Sequence, residues 1–216
     1  MNSNKRRFRQ VAIIALGISV LAANAFARDD GTDGDNCFRV TSTTFANDTI
    51  MPLETIHTVI SNNVNVCSID GSQGGNRSPE LSWSGAPPET KTFVVTAFDV
   101  TAAFTHWGMY NIPGNVTTLP ENAGVPGSQY GQQVVNDFFN GAEYDGPCPP
   151  ANVAPFVHQY VFTVYALRTR LELPGSANFP ANAETLYQAL IKAGEKHHIL
   201  ASASVTGLYT TTVSPK

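Results

Sequence analysis

The chain has 216 residues, 14% of them charged and 42% hydrophobic, with 13 basic against 17 acidic side chains. That acidic balance disfavours nucleic acid and anionic lipid surfaces as partners, so any anion must be held by a local site and not by the net field. There is no internal repeat and no second composition regime, which argues for one folded domain, since a single core serves on the order of 100–200 residues.

Taken in chain order, Lys5, Arg6, Arg7 and Arg9 are basic, Val11 to Ala22 is apolar apart from Gly17 and Ser19, and Ala25-Phe26-Ala27 is small-x-small. The order reads as a secretory signal peptide over residues 1–27. Its apolar run falls short of the roughly 20 residues of a transmembrane helix, so no integral membrane segment is expected after cleavage. Removing residues 1–27 leaves 189 residues with nine basic and 17 acidic side chains, a net charge of −8. The expected location is periplasmic or secreted. Residues 28–36 are polar and glycine-rich and read as a flexible tail. Residues 37–216 read as the single domain.

An exported protein meets an oxidising compartment, so disulfides are expected. Cys37 and Cys67 both lie in polar, loop-like sequence and are paired on that ground; Cys148, between prolines, is left as the odd thiol. A first strand is expected near Cys37 to Thr44. Residues 57–76 carry Asn62-Asn63, Asp70-Gly71 and Gly74-Gly75, the marks of a loop or hairpin. His57 in this segment is expected to be solvated. Three strand signals follow, Lys91 to Asp99, Thr105 to Ile112 and Val157 to Leu167, each rich in β-branched and aromatic residues. Residues 113–140 form a long irregular excursion, and loops of that length are usually functional or carry short elements. Asn182 is a candidate N-cap for a helix over Ala183 to Ala193, with Leu186, Leu190 and Ile191 on one face and Gly194 at its end. Strand-like sequence returns from His198 to Tyr209, where the adjacent His197 and His198 cannot both face one ion. Strands dominate and the one clear helix comes late, so the fold class is mainly β: an antiparallel sheet domain with peripheral helix.

Side chains two apart on a strand share a face. Phe93, Val95, Ala97 and Asp99 form one row, His158, Tyr160, Phe162 and Val164 another, and His106 shares a face with Tyr110. Each row ends in a polar group, and convergence of those ends would surround one cavity with Asp99, His106, His158 and Tyr160. Gly146-Pro147-Cys148-Pro149-Pro150 has three prolines in four residues, which fix φ and remove backbone donors. By composition alone the plainer reading of that segment is a rigid loop.

Ser78-Pro79-Glu80-Leu81-Ser82-Trp83, Thr90-Lys91-Thr92-Phe93, Asp99, His106-Trp107, Gly146 to Pro150, His158-Gln159-Tyr160-Val161-Phe162 and Tyr165-Ala166-Leu167 occur in one order. The ordered set resembles the phosphatidylethanolamine-binding protein family, in its bacterial branch of Raf-kinase-inhibitor-like proteins, over about residues 40 to 210. The resemblance implies a β-sandwich with peripheral helices and a pocket at one end that accepts phosphate-like anions and phospholipid head groups. Carried over by motif, the ligand-binding set is Asp99, His106, Gly146, Pro147, Pro149, Pro150, His158, Tyr160 and, near the C-terminus, Tyr209. No cofactor is expected. Where the family often has Asp-x-Asp-Ala-Pro, this chain has Asp99-Val100-Thr101-Ala102-Ala103, so the second aspartate and the proline are missing. The segment 57–76 also looks longer than the usual link.

Two other classes remain open at this point. A hydrolase could use Cys148 with His158, or a metal at Asp99, His106 and His158, although no nucleophile elbow, Walker loop or local metal-ligand pair is visible. A modulator of an exported protease or another exported partner is the third class. The expectation is a binding protein and not an enzyme, with Trp83 and Trp107 as core aromatics.

Overall fold

The computed structural model describes residues 37–176 and 178–212. The expected signal peptide and tail, residues 1–36, lie outside the described residues. The elements in chain order are β1 (Arg39–Thr41), β2 (Thr49–Ile50), a 3-10 turn at Leu53–Thr55, β3 (Ile60–Ser61), β4 (Val64–Asn65), β5 (Leu81–Ser84), β6 (Thr92–Asp99), β7 (Phe104–Pro113), β8 (Thr118–Leu119), β9 (Gln132–Gln133), β10 (His158–Leu167), α1 (Ala183–Glu195) and β11 (Ile199–Tyr209). The strands expected at Lys91 to Asp99, Thr105 to Ile112, Val157 to Leu167 and His198 to Tyr209 are β6, β7, β10 and β11, displaced by a residue or so at their ends. The excursion at 113–140 carries only β8 and β9.

Six strands form the main sheet in the order β2-β11-β10-β6-β7-β9, and β1-β5-β8 form a second, three-stranded sheet. The four long central strands pair antiparallel. Alternation gives the main sheet two buried faces, each with its own cluster. Phe93, Val95, Ala97, Phe162, Val164 and Val205 pack with Phe38, Leu81, Trp83 and Leu119 of the three-stranded side. Val94, Tyr110 and Leu167 pack with Leu186, Leu190 and Ala193 of α1. The mainly β, sandwich-like fold therefore stands, with a single α-helix among the described residues.

The helix starts as its sequence predicts. Asn182 Oδ1 accepts from the Thr185 N–H at 3.0 Å, and Thr185 Oγ1 accepts from the Asn182 N–H at 2.9 Å. This reciprocal box satisfies two donors that would otherwise be orphaned. Two details of the helix expectation are corrected: it runs through Gly194 to Glu195, and Ile191 is 57% exposed. Five residues separate Leu186 from Ile191, about 140° around the helix, so the core-facing stripe passes through Leu190 and Ala193 instead.

Residues 57–76 do contain a hairpin, with β3 and β4 joined by Asn62 and Asn63, both at positive φ (51° and 65°). Asparagine tolerates that conformation better than most side chains. The hairpin is fastened differently from expectation. Cys67 is bonded to Cys148, and Cys37 is a free, exposed cysteine. The Cys37–Cys67 pairing is thus overturned, and so is the odd thiol at Cys148. Local polarity could not reveal a partner 81 residues away. Among the described residues, no helix is long and apolar enough to cross a membrane.

Candidate functional site

The three central strands deliver polar residues to one end of the main sheet. Asp99, last residue of β6, stands opposite Tyr160 of β10 and Phe104 of β7. His158 lies two residues before Tyr160, one same-face step beyond the end of β6. From there its Nδ1 reaches Asp99 Oδ2 at 2.6 Å. The other carboxylate oxygen, Oδ1, accepts from the N–H groups of Thr101 and Ala102 at 2.8 and 3.1 Å. One aspartate therefore holds both the turn that closes β6 to β7 and the ring of His158. Both side chains are buried.

His106 arrives by a different device. Ala97 pairs with Trp107 and Phe98 with Thr105, which leaves His106 as the extra residue of a β-bulge. A bulge interrupts alternation and re-aims a side chain. His106 consequently sits over Tyr160, ring centroids 5.1 Å apart, while Tyr110 belongs to the helix-side cluster. The expectation that His106 and Tyr110 share a face is corrected by this bulge: from Trp107 to Tyr110 alternation runs unbroken, with Trp107 and Met109 on the sandwich side and Tyr110 on the helix side.

A cavity of about 210 Å³ opens at this end, lined by Asp99, Ala102, Phe104, His106, Phe138, Cys148, Pro149, Pro150, His158 and Tyr160. It is smaller than the roughly 300–1,000 Å³ of drug-sized sites, so it suits a small group. The apolar rows beneath it are filled: Phe162 and Val164 are at most 1% exposed and belong to the sandwich core.

The proline-rich wall is anchored residue by residue. Asp145 donates its N–H to the His106 carbonyl at 3.0 Å, and its own carbonyl accepts from His106 Nδ1 at 2.8 Å. Gly146 donates its N–H to Asn76 Oδ1 at 2.7 Å. The Pro147 carbonyl accepts from the His57 N–H at 3.1 Å, Cys148 is bonded to Cys67, and the Pro149 carbonyl accepts from Thr211 Oγ1 at 2.7 Å. Prolines have no N–H to offer, so their carbonyls and neighbours do the anchoring. Gly146 is obligatory by close approach: a Cβ there would lie 1.9 Å from the Thr55 carbonyl oxygen.

The electrostatics follow from enclosure. Burial lowers the pKa of His106, outweighing the Asp145 carbonyl and the nearby charge of Asp99. Burial and then the Asp99 carboxylate raise that of Tyr160, whose hydroxyl stays a neutral O–H group. This hydroxyl is buried without a well-formed hydrogen bond. Behind the wall, the buried Asp145 carboxylate accepts from Asn76 Nδ2 at 3.0 Å and Asn136 Nδ2 at 2.9 Å, with His57 Nδ1 at 3.4 Å. His57 is accordingly buried, not solvated.

Residues 41–210 match the family model described as phosphatidylethanolamine-binding protein. The chain belongs to the phosphatidylethanolamine-binding protein family. Among its relatives, YbcL of Escherichia coli K12 is 37% identical over 150 residues, covering 64% of this chain and 74% of YbcL. A Methanothermobacter thermautotrophicus protein is 38% identical over 141 residues, covering 63% of this chain and 84% of its own. The crystal structure of YbcL, described as a new member of the mammalian family, superposes with a TM-score of 0.62 at 30% identity, covering 80% of this chain and 98% of YbcL. A Mycobacterium tuberculosis relative named as a lipoprotein, LppC, is 33% identical over 122 residues, covering 54% of this chain and 56% of its own.

Of the residues assigned from family motifs, Asp99, His106, Pro149, Pro150, His158 and Tyr160 meet in the cavity. Gly146 and Pro147 stand behind its wall against residues 55–57, and the Gly146 N–H is taken by Asn76, so it is not turned to a ligand. Tyr209 of β11 pairs with His158 of β10 and is buried beside the site, outside the lining. Sequence reasoning missed Ala102, Phe104 and Phe138 in the lining. Phe104 lies at the start of β7, two residues before a candidate histidine. Phe138 lies in the excursion at 113–140, where nothing in its neighbours marks it. With its sulfur in a disulfide, Cys148 has no thiolate to act as a nucleophile, which removes that reading of a hydrolase. Among the described residues no three His, Cys, Asp or Glu side chains are grouped to hold a metal ion.

Proposed function

We propose that this protein is an exported binding protein, and not an enzyme, that holds a small phosphate-bearing anion in the cavity between His106, His158 and Tyr160. The ligand is inorganic phosphate or a phospholipid head group. One observation carries the reading. Two imidazoles, each fixed through Nδ1 by a buried acceptor, line one small cavity together with a buried tyrosine whose hydroxyl lacks a well-formed hydrogen bond. An unsatisfied buried hydroxyl costs about 1–3 kcal/mol, which a ligand oxygen would recover. The proline wall and the aromatic rings of Phe104 and Phe138 give the ligand a shape to fit, and the net charge of −8 on the chain after residue 27 makes local contacts decisive.

Export is supported by the signal-peptide pattern of residues 1–27, by the Cys67–Cys148 disulfide and by the naming of one relative as a lipoprotein. The binding test is calorimetry with inorganic phosphate and with phosphoethanolamine on the wild type and on His158→Ala. The expected result is saturable binding to the wild type, weakened about tenfold or more in the variant, as the loss of a hydrogen bond to a charged group implies. Equal binding by a folded His158→Ala variant would overturn the assignment.

A further inference from the structure

The β3–β4 hairpin inverts the polarity expected of a β element that faces water. Such an element normally turns apolar side chains inward and polar ones outward. Here Val64 and Val66 point out, while Asn65 and Cys67 between and after them point in. Val59 joins the outer face, since its carbonyl accepts from the Val66 N–H at 2.9 Å. Asn65 is 1% exposed, whereas Val59, Val64 and Val66 are 39 to 49% exposed. Ile60 and Ile69 stand exposed at the margins.

The hairpin is held from within by polar bonds, and its outer valines belong to neither apolar cluster. Asn65 Oδ1 accepts from the N–H groups of Val59 and Cys67 at 2.9 and 3.1 Å. Its Nδ2 donates to the carbonyls of His57 and Ser72 at 3.0 and 3.1 Å. The bond from Cys67 to Cys148 fastens the hairpin to the body of the protein. It is thus a fixed platform with an aliphatic outer face. Its five exposed aliphatic side chains offer roughly 400 Å², the size at which a monomer's largest patch is often functional, and about half of one side of a stable complex.

Charge decides what can cover it. From Val40 to Asn76 the chain has no Lys or Arg, and its charged residues are Asp48, Glu54 and Asp70. Glu54 stands at the foot of the hairpin, beside the Leu53 carbonyl that accepts from the Gly75 N–H at 3.1 Å. Asp70 stands in the return loop, where its Oδ1 accepts from the Ser72 N–H at 2.9 Å. The next cation, Arg77, is paired with Glu121 at 3.7 Å. A second copy would set these acidic margins against each other, on a chain of net charge −8 after residue 27, over too small an area for a stable dimer. An anionic lipid surface meets the same repulsion. The complementary surface has an aliphatic centre and Lys or Arg at its edge.

We infer that the outer face of this hairpin is a docking surface for a basic, aliphatic segment of another protein. The face contains no cavity-lining side chain, so its failure and that of the anion site are separate outcomes. Fluorescence anisotropy on the disulfide-bonded protein tests it at about 0.15 M salt. The probes are three labelled peptides of equal length, alternating Leu–Lys, Leu–Glu and Ser–Lys. The Leu–Lys peptide is expected to bind about tenfold or more tightly than either control. Val64→Thr with Val66→Thr should remove that preference at an unchanged melting temperature. Glu54→Gln with Asp70→Asn, which keeps an acceptor for the Ser72 N–H, should weaken binding and flatten its salt dependence. Equal binding of the three peptides, or of the wild type and the valine variant, overturns the inference. So does a melting temperature of the valine variant well below that of the wild type, which would give the valines a folding role. Self-association in sedimentation that the valine variant loses would assign the face to a second copy. Valine-dependent binding of phosphatidylcholine vesicles without binding of the Leu–Lys peptide would assign it to a lipid surface. Either result also overturns the inference.

Discussion

Asp99 illustrates how much one residue settles. Its two carboxylate oxygens organise the β6–β7 turn and the His158 ring, and it ends a row of apolar side chains that strand alternation alone makes visible. His158 and Tyr160 were legible in the same way. His106 was legible as a candidate but not in its direction, because a bulge cannot be read from a period-two pattern. The Asn76–Asp145–Asn136 network behind the wall was not legible at all, since Asn76 is 69 residues from Asp145 and each member alone looks like loop polarity. His106 also carries a prediction. Its folded pKa lies below its unfolded value of about 6.5, so the unfolded chain takes up the proton first. The stability this group supports is complete above about pH 6.5 and falls as pH drops toward the folded pKa, by at most about 1.4 kcal/mol per pH unit. Urea unfolding in phosphate-free buffer from about pH 7.5 to 5 should show that decline, and His106→Gln should flatten it. A decline of the same slope in the variant would assign it to other groups.

At the scale of elements, the wall segment 145–150 is where sequence and structure diverge most. Its rigidity was plain from three prolines, but its fastening was not, because each anchor comes from a different part of the chain. The Cys67–Cys148 bond joins a surface hairpin to the cavity lining across 81 residues. Closing a loop that long restricts the unfolded chain by about 2–5 kcal/mol. Replacing both cysteines, Cys67→Ser with Cys148→Ser, should lower unfolding free energy by that amount and weaken phosphate binding. Cys37→Ser should change neither, and thiol titration of the denatured, unreduced protein should find one free thiol. Gly146→Ala tests the wall from behind. Its methyl group would collide with the Thr55 carbonyl, and a loss of about 1–3 kcal/mol is expected, the usual cost of overpacking. A melting temperature like that of the wild type would show that the wall is not held as described.

For the whole molecule, the sandwich was legible because its long strands carry strong patterns and its helix carries an N-cap asparagine before an apolar periodic stretch. The short edge strands β2, β8 and β9, two residues each, have no pattern of their own and exist only by pairing with longer neighbours. The proposed export is tested on the whole molecule too. Intact mass of the protein from its native envelope is expected to begin at Arg28, and retention of residues 1–27 would contradict the signal-peptide reading. The binding claim has a direct probe in the five histidines of the chain. Side-chain 15N NMR during a phosphate titration should shift the Nε2 signals of His106 and His158 saturably, with His197 and His198 unmoved. Movement of the latter pair, or silence from His106 and His158 while phosphate binds, would contradict the account.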